Sequence, residues 1–149
     1  MPLPRLTDVG SLPFGLHWAS LQETISRFGV GQPQRMAVGE RLERIVRLAS
    51  ETGHLARFIV FGSFVTNKPD PNDVDVFLVM DDSFDGETLQ GELAVLFDHA
   101  AADAHFGASI FWVRRLAALG GEQSMVEYWQ ITRGGGKRGI IEIVEETDD

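Results

Sequence analysis

A chain of 149 residues, 44 % of them hydrophobic, has the length and apolar content of one globular domain, which excludes a disordered chain. It contains no cysteine, which excludes disulfides, thiolate catalysis and Cys-ligated zinc and fits a reducing cytoplasm. A formal net charge of −9 opposes nonspecific binding to DNA, because phosphate neutralisation supplies most of that affinity, and no apolar run reaches the roughly 20 residues of a membrane span.

Residues 1–16 hold Pro2, Pro4 and Pro13 together with Gly10 and Gly15, and read as an extended arm without the pattern of a signal peptide. Ser20-Leu-Gln-Glu23 is a capping box and predicts a short helix from Leu21 to about Phe28, with Trp18 near the staple position. Gly29 and Gly31 end it. Leu42, Ile45, Val46 and Ala49 recur at helical spacing and predict a longer helix from about Arg35 to Thr52, flanked by Arg41, Arg44 and Arg47 and stopped at Gly53. Arg57 to Phe61 reads as a first strand, Asn67 to Asn72 as a turn, and Asp73 to Met80 as a second strand. After a polar turn, Gly86 to Ala104 reads as one helix with Leu89, Leu93, Leu96 and Phe97 inward, and Phe106 to Val113 as a third strand. Gly121 to Glu127 reads as a short helix. Tyr128 to Thr132 and Gly139 to Val144 read as two arms of a hairpin across the basic loop Arg133 to Arg138, and Glu145 to Asp149 as a frayed acidic tail. Without repeats or linkers, residues 1–149 form a single domain.

The chemistry concentrates at Gly62-Ser63, nine residues, then Asp73-Val74-Asp75. Strand alternation puts Asp73 and Asp75 on one face, about 6.6 Å apart, with Phe77 and Val79 continuing that face inward. Val74, Val76, Leu78 and Met80 take the other face. Two carboxylates at ~4 Å repel by about 4 kcal/mol at an effective dielectric near 20, and a divalent cation removes that cost. Mg²⁺ suits one or two carboxylates plus phosphate oxygens and water. Gly62 lets a phosphate approach the backbone, Ser63 offers a hydroxyl, and helical N–H groups after it would face the same anion. Taken singly, these residues also suit an ordinary turn and strand end; their joint occurrence favours a metal and polyphosphate site.

The same residues resemble the signature of the polymerase-β-like nucleotidyltransferase superfamily: apolar-Gly-Ser, about ten residues, then Asp-x-Asp in a strand. Pro13 to Glu23, Phe61 to Asp75 and Gly136 to Ile143 resemble a bacterial and phage branch of that superfamily carrying a domain of unknown function. The resemblance implies an α/β (α+β) fold, a small mixed β-sheet with helices packed mainly on one side. It implies that Gly62 and Ser63 meet the phosphates of ATP or another NTP, and that Asp73 and Asp75 bind Mg²⁺ and are the catalytic acids. Active members place a third carboxylate on the next strand, where this chain has Ser109, and a hydroxyl is a poor general base. Asp103, His105 and Glu142 are the acids and base available to replace it.

Lys68, in the loop between the two motif halves, is a candidate phosphate contact, although an exposed turn lysine is the commoner explanation. Arg133 to Arg138 reads as an ordinary hairpin tip before it reads as a phosphate loop. His17, His54, His99 and His105 lack zinc spacing. Phe111, Trp112, Tyr128 and Trp129 read as core aromatics before a base-stacking platform, and the Arg41, Arg44, Arg47 row as a solvated face. The reading is a cytoplasmic, Mg²⁺-dependent nucleotidyltransferase that moves NMP from NTP to a hydroxyl of a protein, an RNA or a small molecule. Its implied partners are a nucleotide and a protein such as a toxin, in a toxin–antitoxin or phage-defence setting. The alternatives are a catalytically inactive nucleotide- or partner-binding module of the same fold, and an unrelated small α/β protein.

Overall fold

The computed structural model describes residues 3–117, 121–131 and 136–145, with only the backbone of Leu116. The first half of the Arg133 to Arg138 loop and the tail beyond Glu145 lie outside the described residues. Five strands, β1 (Leu16–Ala19), β2 (Leu55–Phe61), β3 (Val74–Met80), β4 (Ala108–Arg114) and β5 (Ile140–Ile143), form one mixed sheet in the order β1-β5-β2-β3-β4. β1 runs parallel to β5 and β3 parallel to β4; β2 is antiparallel to both of its neighbours. Among the described residues five α-helices accompany the sheet: α1 (Leu21–Phe28), α2 (Pro33–Glu51), α3 (Glu92–Leu96), α4 (His99–Phe106) and α5 (Glu122–Tyr128). The α+β class with helices mainly on one side is therefore the observed architecture.

The alternation within β3 divides two cores. Val74, Val76, Leu78 and Met80 face the larger one, shared with Phe28, Leu42, Ile45, Leu96 and Phe106 from α1 to α4. Phe77 and Val79 face a smaller one, where Ile59 and Ile140 meet Val126 of α5. β3 is apolar on both faces, as suits an interior strand covered on both sides, and it lies between β2 and β4.

Local chemistry sets the element ends. Ser20 Oγ accepts from the Glu23 N–H at 3.0 Å to start α1. Glu23 Oε2 also accepts from the Leu3 N–H at 2.6 Å, tying the cap to the N-terminal segment. α2 starts with Pro33 in its first turn and buries Val38, Leu42, Ile45 and Ala49 completely. Gly53, at φ +75°, turns the chain into β2.

Three expectations need correction. The single helix over Gly86 to Ala104 is broken in two: Gly91 sits at φ +64°, ψ −140°, outside helical space, and Asp98 caps a new helix by accepting from the Ala101 N–H. Phe106 belongs to α4 rather than to the third strand, because Gly107 caps that helix at φ +64°, ψ +42° and β4 begins after it. Among the described residues the two expected arms form no hairpin ladder: Tyr128 ends α5, and one isolated bridge joins Ile131 to Lys137, a residue of the expected loop rather than of the second arm. β5 instead pairs with β2 and with β1, a strand formed where the arm meets the approach to α1. The described part of the arm is a strap rather than a loose end. Leu3 and Leu12 are buried, Ser11 bridges Thr66, and the Gly139 N–H donates to the Leu12 carbonyl. Gly139 crosses so close that a Cβ there would run into the Pro13 carbonyl.

At the far end of the second face, Arg57 donates to Glu142 at 2.7 Å and to Glu122 at 3.2 Å, and Arg115 donates to Glu122 at 2.8 Å. Hydrogen bonding from Arg115, then from Arg57, holds the Glu122 carboxyl below its ordinary pKa. A lowered folded-state pKa contributes stability that is complete above the unfolded pKa and fades as pH falls through the folded one. Glu122→Gln is therefore expected to flatten the acid limb: urea midpoints of wild type and variant should converge as pH drops below about 4.5. A constant gap between them across that range would contradict the linkage.

Candidate functional site

β2 delivers the chain to Gly62, which stands at φ +84°, ψ −164°, a conformation open to glycine. One 3-10 turn follows at Ser63–Val65, with Phe64 and Val65 fully buried as its anchors. The helical continuation after Ser63 is thus a single turn. The antiparallel register pairs Phe61 with Asp75, so Gly62 faces the Asp75 side chain. Their approach is close enough that a Cβ on Gly62 would collide with Asp75 Oδ2. β4 completes the arrangement: Ser109 pairs with Asp75 in register and its hydroxyl donates to Asp73 Oδ2 at 3.3 Å. Gly62, Asp73, Asp75 and Ser109 therefore meet at one end of the sheet, and both aspartates are half-buried. Ser63 is half-buried beside them.

The loop between the motif halves is held by α2. Arg35 is 8 % exposed and donates to four backbone carbonyls. Nη1 reaches Phe28 at 3.1 Å and Phe64 at 2.9 Å; Nη2 reaches Thr66 at 2.7 Å and Lys68 at 2.6 Å. Burial lowers the pKa of this guanidinium from its ordinary value, although arginine remains charged. Gln34 donates to the Pro71 carbonyl and Arg41 to that of Asn72, the residue before Asp73. One helix thereby positions both the turn after Gly62 and the approach to the acid pair. Arg35 and Gln34 were not among the residues singled out from sequence. Their signal was an arginine in the first turn of a helix, where the macrodipole disfavours a cation and something else must hold it.

Lys68 bonds through its backbone, its N–H to Thr66 Oγ1 and its carbonyl to Arg35, and it is exposed in the loop. The candidate replacements for a third acid lie elsewhere: Glu142 on Arg57, His105 on Glu92 at 3.0 Å, and Asp103 exposed on α4. Among the described residues no group of three or more His, Cys, Asp or Glu side chains is placed to share a metal ion. His17 Nε2 lies 2.7 Å from the Pro13 carbonyl and stabilises the strap. His54, Asp81 and Ser83 cluster on the opposite end of the sheet, but Asp81 and Ser83 both approach the same ring nitrogen, Nδ1. That geometry caps a loop and offers no relay through the ring.

Inward of the acids lie Phe61, Phe77 and Phe111, with the Trp129 ring 4.7 Å, 5.4 Å and 4.9 Å from them, centroid to centroid. Phe111 and Trp129 pack against this core and Trp112 against the larger one, as expected, but Tyr128 stands 63 % exposed and is no core residue. The packing around Trp129 also places a dry wall behind the carboxylates, which strengthens charge interactions at their tips. The donor set fits Mg²⁺ in the manner of a phosphate-assisted site: two carboxylates and a neighbouring hydroxyl, with substrate oxygens and water left to complete an octahedron. It does not form an all-protein cage.

A protein-family model described as a family of unknown function (DUF6932) matches residues 4–144, nearly the whole chain. Neither a curated protein nor a solved structure matches. No helix among the described residues is long and apolar enough to cross a membrane.

Proposed function

The chain belongs to the DUF6932 family, and we propose that it is a Mg²⁺-dependent protein of nucleotidyltransferase type acting in the cytoplasm. The observation that carries this reading is the convergence of Gly62 with Asp73 and Asp75 at one sheet end, with Asp75 seated against a glycine that has no room for a Cβ. Asp73 and Asp75 would hold Mg²⁺, and Gly62 and Ser63 would receive the phosphates of an NTP. The metal, when bound, neutralises phosphate charge and orients the α-phosphate. In the transfer an acceptor hydroxyl oxygen bonds to the α-phosphorus, the bond to the bridging β-phosphate oxygen breaks, pyrophosphate leaves, and the hydroxyl proton passes to solvent. A protein acceptor, such as a toxin partner, follows from the resemblance alone.

Ser109 favours a second reading, a nucleotide-binding module without turnover. It occupies the register position opposite Asp75 where a third carboxylate would stand. Calorimetry with MnCl₂ and with ATP plus Mg²⁺, run beside transfer of label from α-labelled ATP, separates the two readings. Metal binding lost in Asp73→Asn and Asp75→Asn, with label transferred, supports the enzyme; the same loss without transfer supports the module. Absence of metal-dependent binding in the wild type overturns both. Ser109→Asp is expected to tighten Mn²⁺ binding by about tenfold or more, since a third carboxylate adds charge beside the pair. Unchanged affinity would mean that the three positions do not share one ion.

A further inference from the structure

A groove of about 1270 Å³ opens at the opposite end of the sheet from the acid pair. Its floor is where β2 begins and β5 ends, six residues along β2 from Phe61 at Leu55, roughly 20 Å by strand rise. The groove exists because two pairs of elements diverge. α1 and α2 meet backbone to backbone at Gly29 and Gly39, then open as a V toward Leu21 on one arm and Ser50 on the other. β2 pairs with β3 along its length but with β5 only at Ile59 and Val60, so the strands part below the mouth of the V. Leu21 and Ile25 line one wall at helical spacing, Glu43, Val46 and Ser50 the other, and Phe58 and Ile143 lie beneath.

We propose that this groove receives a basic amphipathic helix from a partner protein. Shape is one argument. A cylinder ~10 Å across, the width of an α-helix, fills this volume over ~16 Å, about three turns. Two helices on a sheet with a gap between them lack a third element of that size, and apolar side chains at i, i+3, i+4 and i+7 would match the two walls. Charge is the other argument. Glu43 and Glu145 stand exposed on the rim, and neither makes an ion pair among the described residues. Arg57, the cation of the lining, is taken by Glu142 and Glu122. The rim is therefore acidic, on a chain of net charge −9. It complements lysine or arginine flanking an apolar stripe and repels a second copy of the chain. The chain's own continuation from Glu145, Glu-Thr-Asp-Asp, carries the rim's sign and does not complement it.

The probe is a synthetic 14-residue helix with leucine on one face and lysine on the other, titrated into isotopically labelled full-length protein and followed by NMR. Shifts are expected at Ile25, Val46 and Ile143 and not at Asp73 or Asp75. Val46→Asp and, separately, Ile25→Asp should weaken binding tenfold or more, and Glu43→Lys with Glu145→Lys should weaken it several-fold. Each variant is checked for wild-type circular dichroism, and the exposed charge reversals provide a second route should the apolar ones misfold. The proposal is overturned if the peptide shifts other surfaces, or if a leucine–glutamate peptide binds as well. It is also overturned if groove signals move with protein concentration or on truncation after Glu145, since a second copy or the tail would then be the occupant. These outcomes do not depend on metal binding at the aspartates.

Discussion

Replacing Arg35 with methionine is expected to lower stability by about 3–5 kcal/mol, the range for removing one partner of a buried charged network. The side chain satisfies four carbonyls, and methionine fills its volume without donating to any of them. Phe28, Phe64, Thr66 and Lys68 would then present acceptors to a space too dry to supply substitutes. For a domain of this size the change corresponds to a fall in melting temperature of roughly 10 °C or more. Lysine keeps the charge but not the planar fork, so Arg35→Lys should recover only part of the loss. A thermal melt of Arg35→Met within a degree of wild type would show that the loop is held by something else. Because Arg35 holds the Phe64 and Thr66 carbonyls of the turn that follows Gly62, the glycine against which Asp75 sits, the variant should also weaken Mn²⁺ binding before it unfolds.

Gly62→Ala carries the second large effect, and it falls on the site more than on the fold. The conformation at φ +84°, ψ −164° costs a non-glycine residue about 1–3 kcal/mol. The added methyl would also occupy the place of Asp75 Oδ2 and force that carboxylate to rotate away. Loss of stability of about 2–3 kcal/mol is expected, together with Mn²⁺ binding weakened by at least tenfold. Ser63→Ala, which changes one hydroxyl and no backbone angle, should leave the metal affinity in place and reduce only that for ATP with Mg²⁺. Calorimetry on the two variants checks both statements. Equal metal affinity in Gly62→Ala and wild type would detach the glycine from the acid pair.

Much of the site was legible because it depends on local rules. Two acids one residue apart at a strand start share a face whatever the fold, and the register then sets Ser109 against Asp75. The capping box at Ser20 and the apolar stripe of α2 were equally local. What escaped was set by distant partners. β1 is four residues long, and Trp18 on it is 66 % exposed; its identity as a strand rests on pairing with Ile140 to Ile143. The break after Leu89 was written in Gly91 and Asp98, but the leucine periodicity across them reads as one helix until the backbone angles are known. β propensity assigns Trp129 to a strand, whereas it stands at the C-terminal cap of a helix and packs against Phe61 and Phe111. The role of Arg35 is tertiary throughout, since all four of its acceptors lie outside its own helix.

The pairing of Leu16 with Ile140 has a consequence for biosynthesis. During translation the segment from α2 to β4 can settle early, with β2, β3 and β4 assembling as each emerges. Four residues near the start must wait beside a ribosome until the last strand is made, because β1 has β5 as its neighbour in the ladder. Closing so long a loop is entropically slow, and the half-built sheet meanwhile shows the open edge of β2 to other nascent chains. Expression yield should therefore respond more to chaperone supply than the size of the domain would suggest.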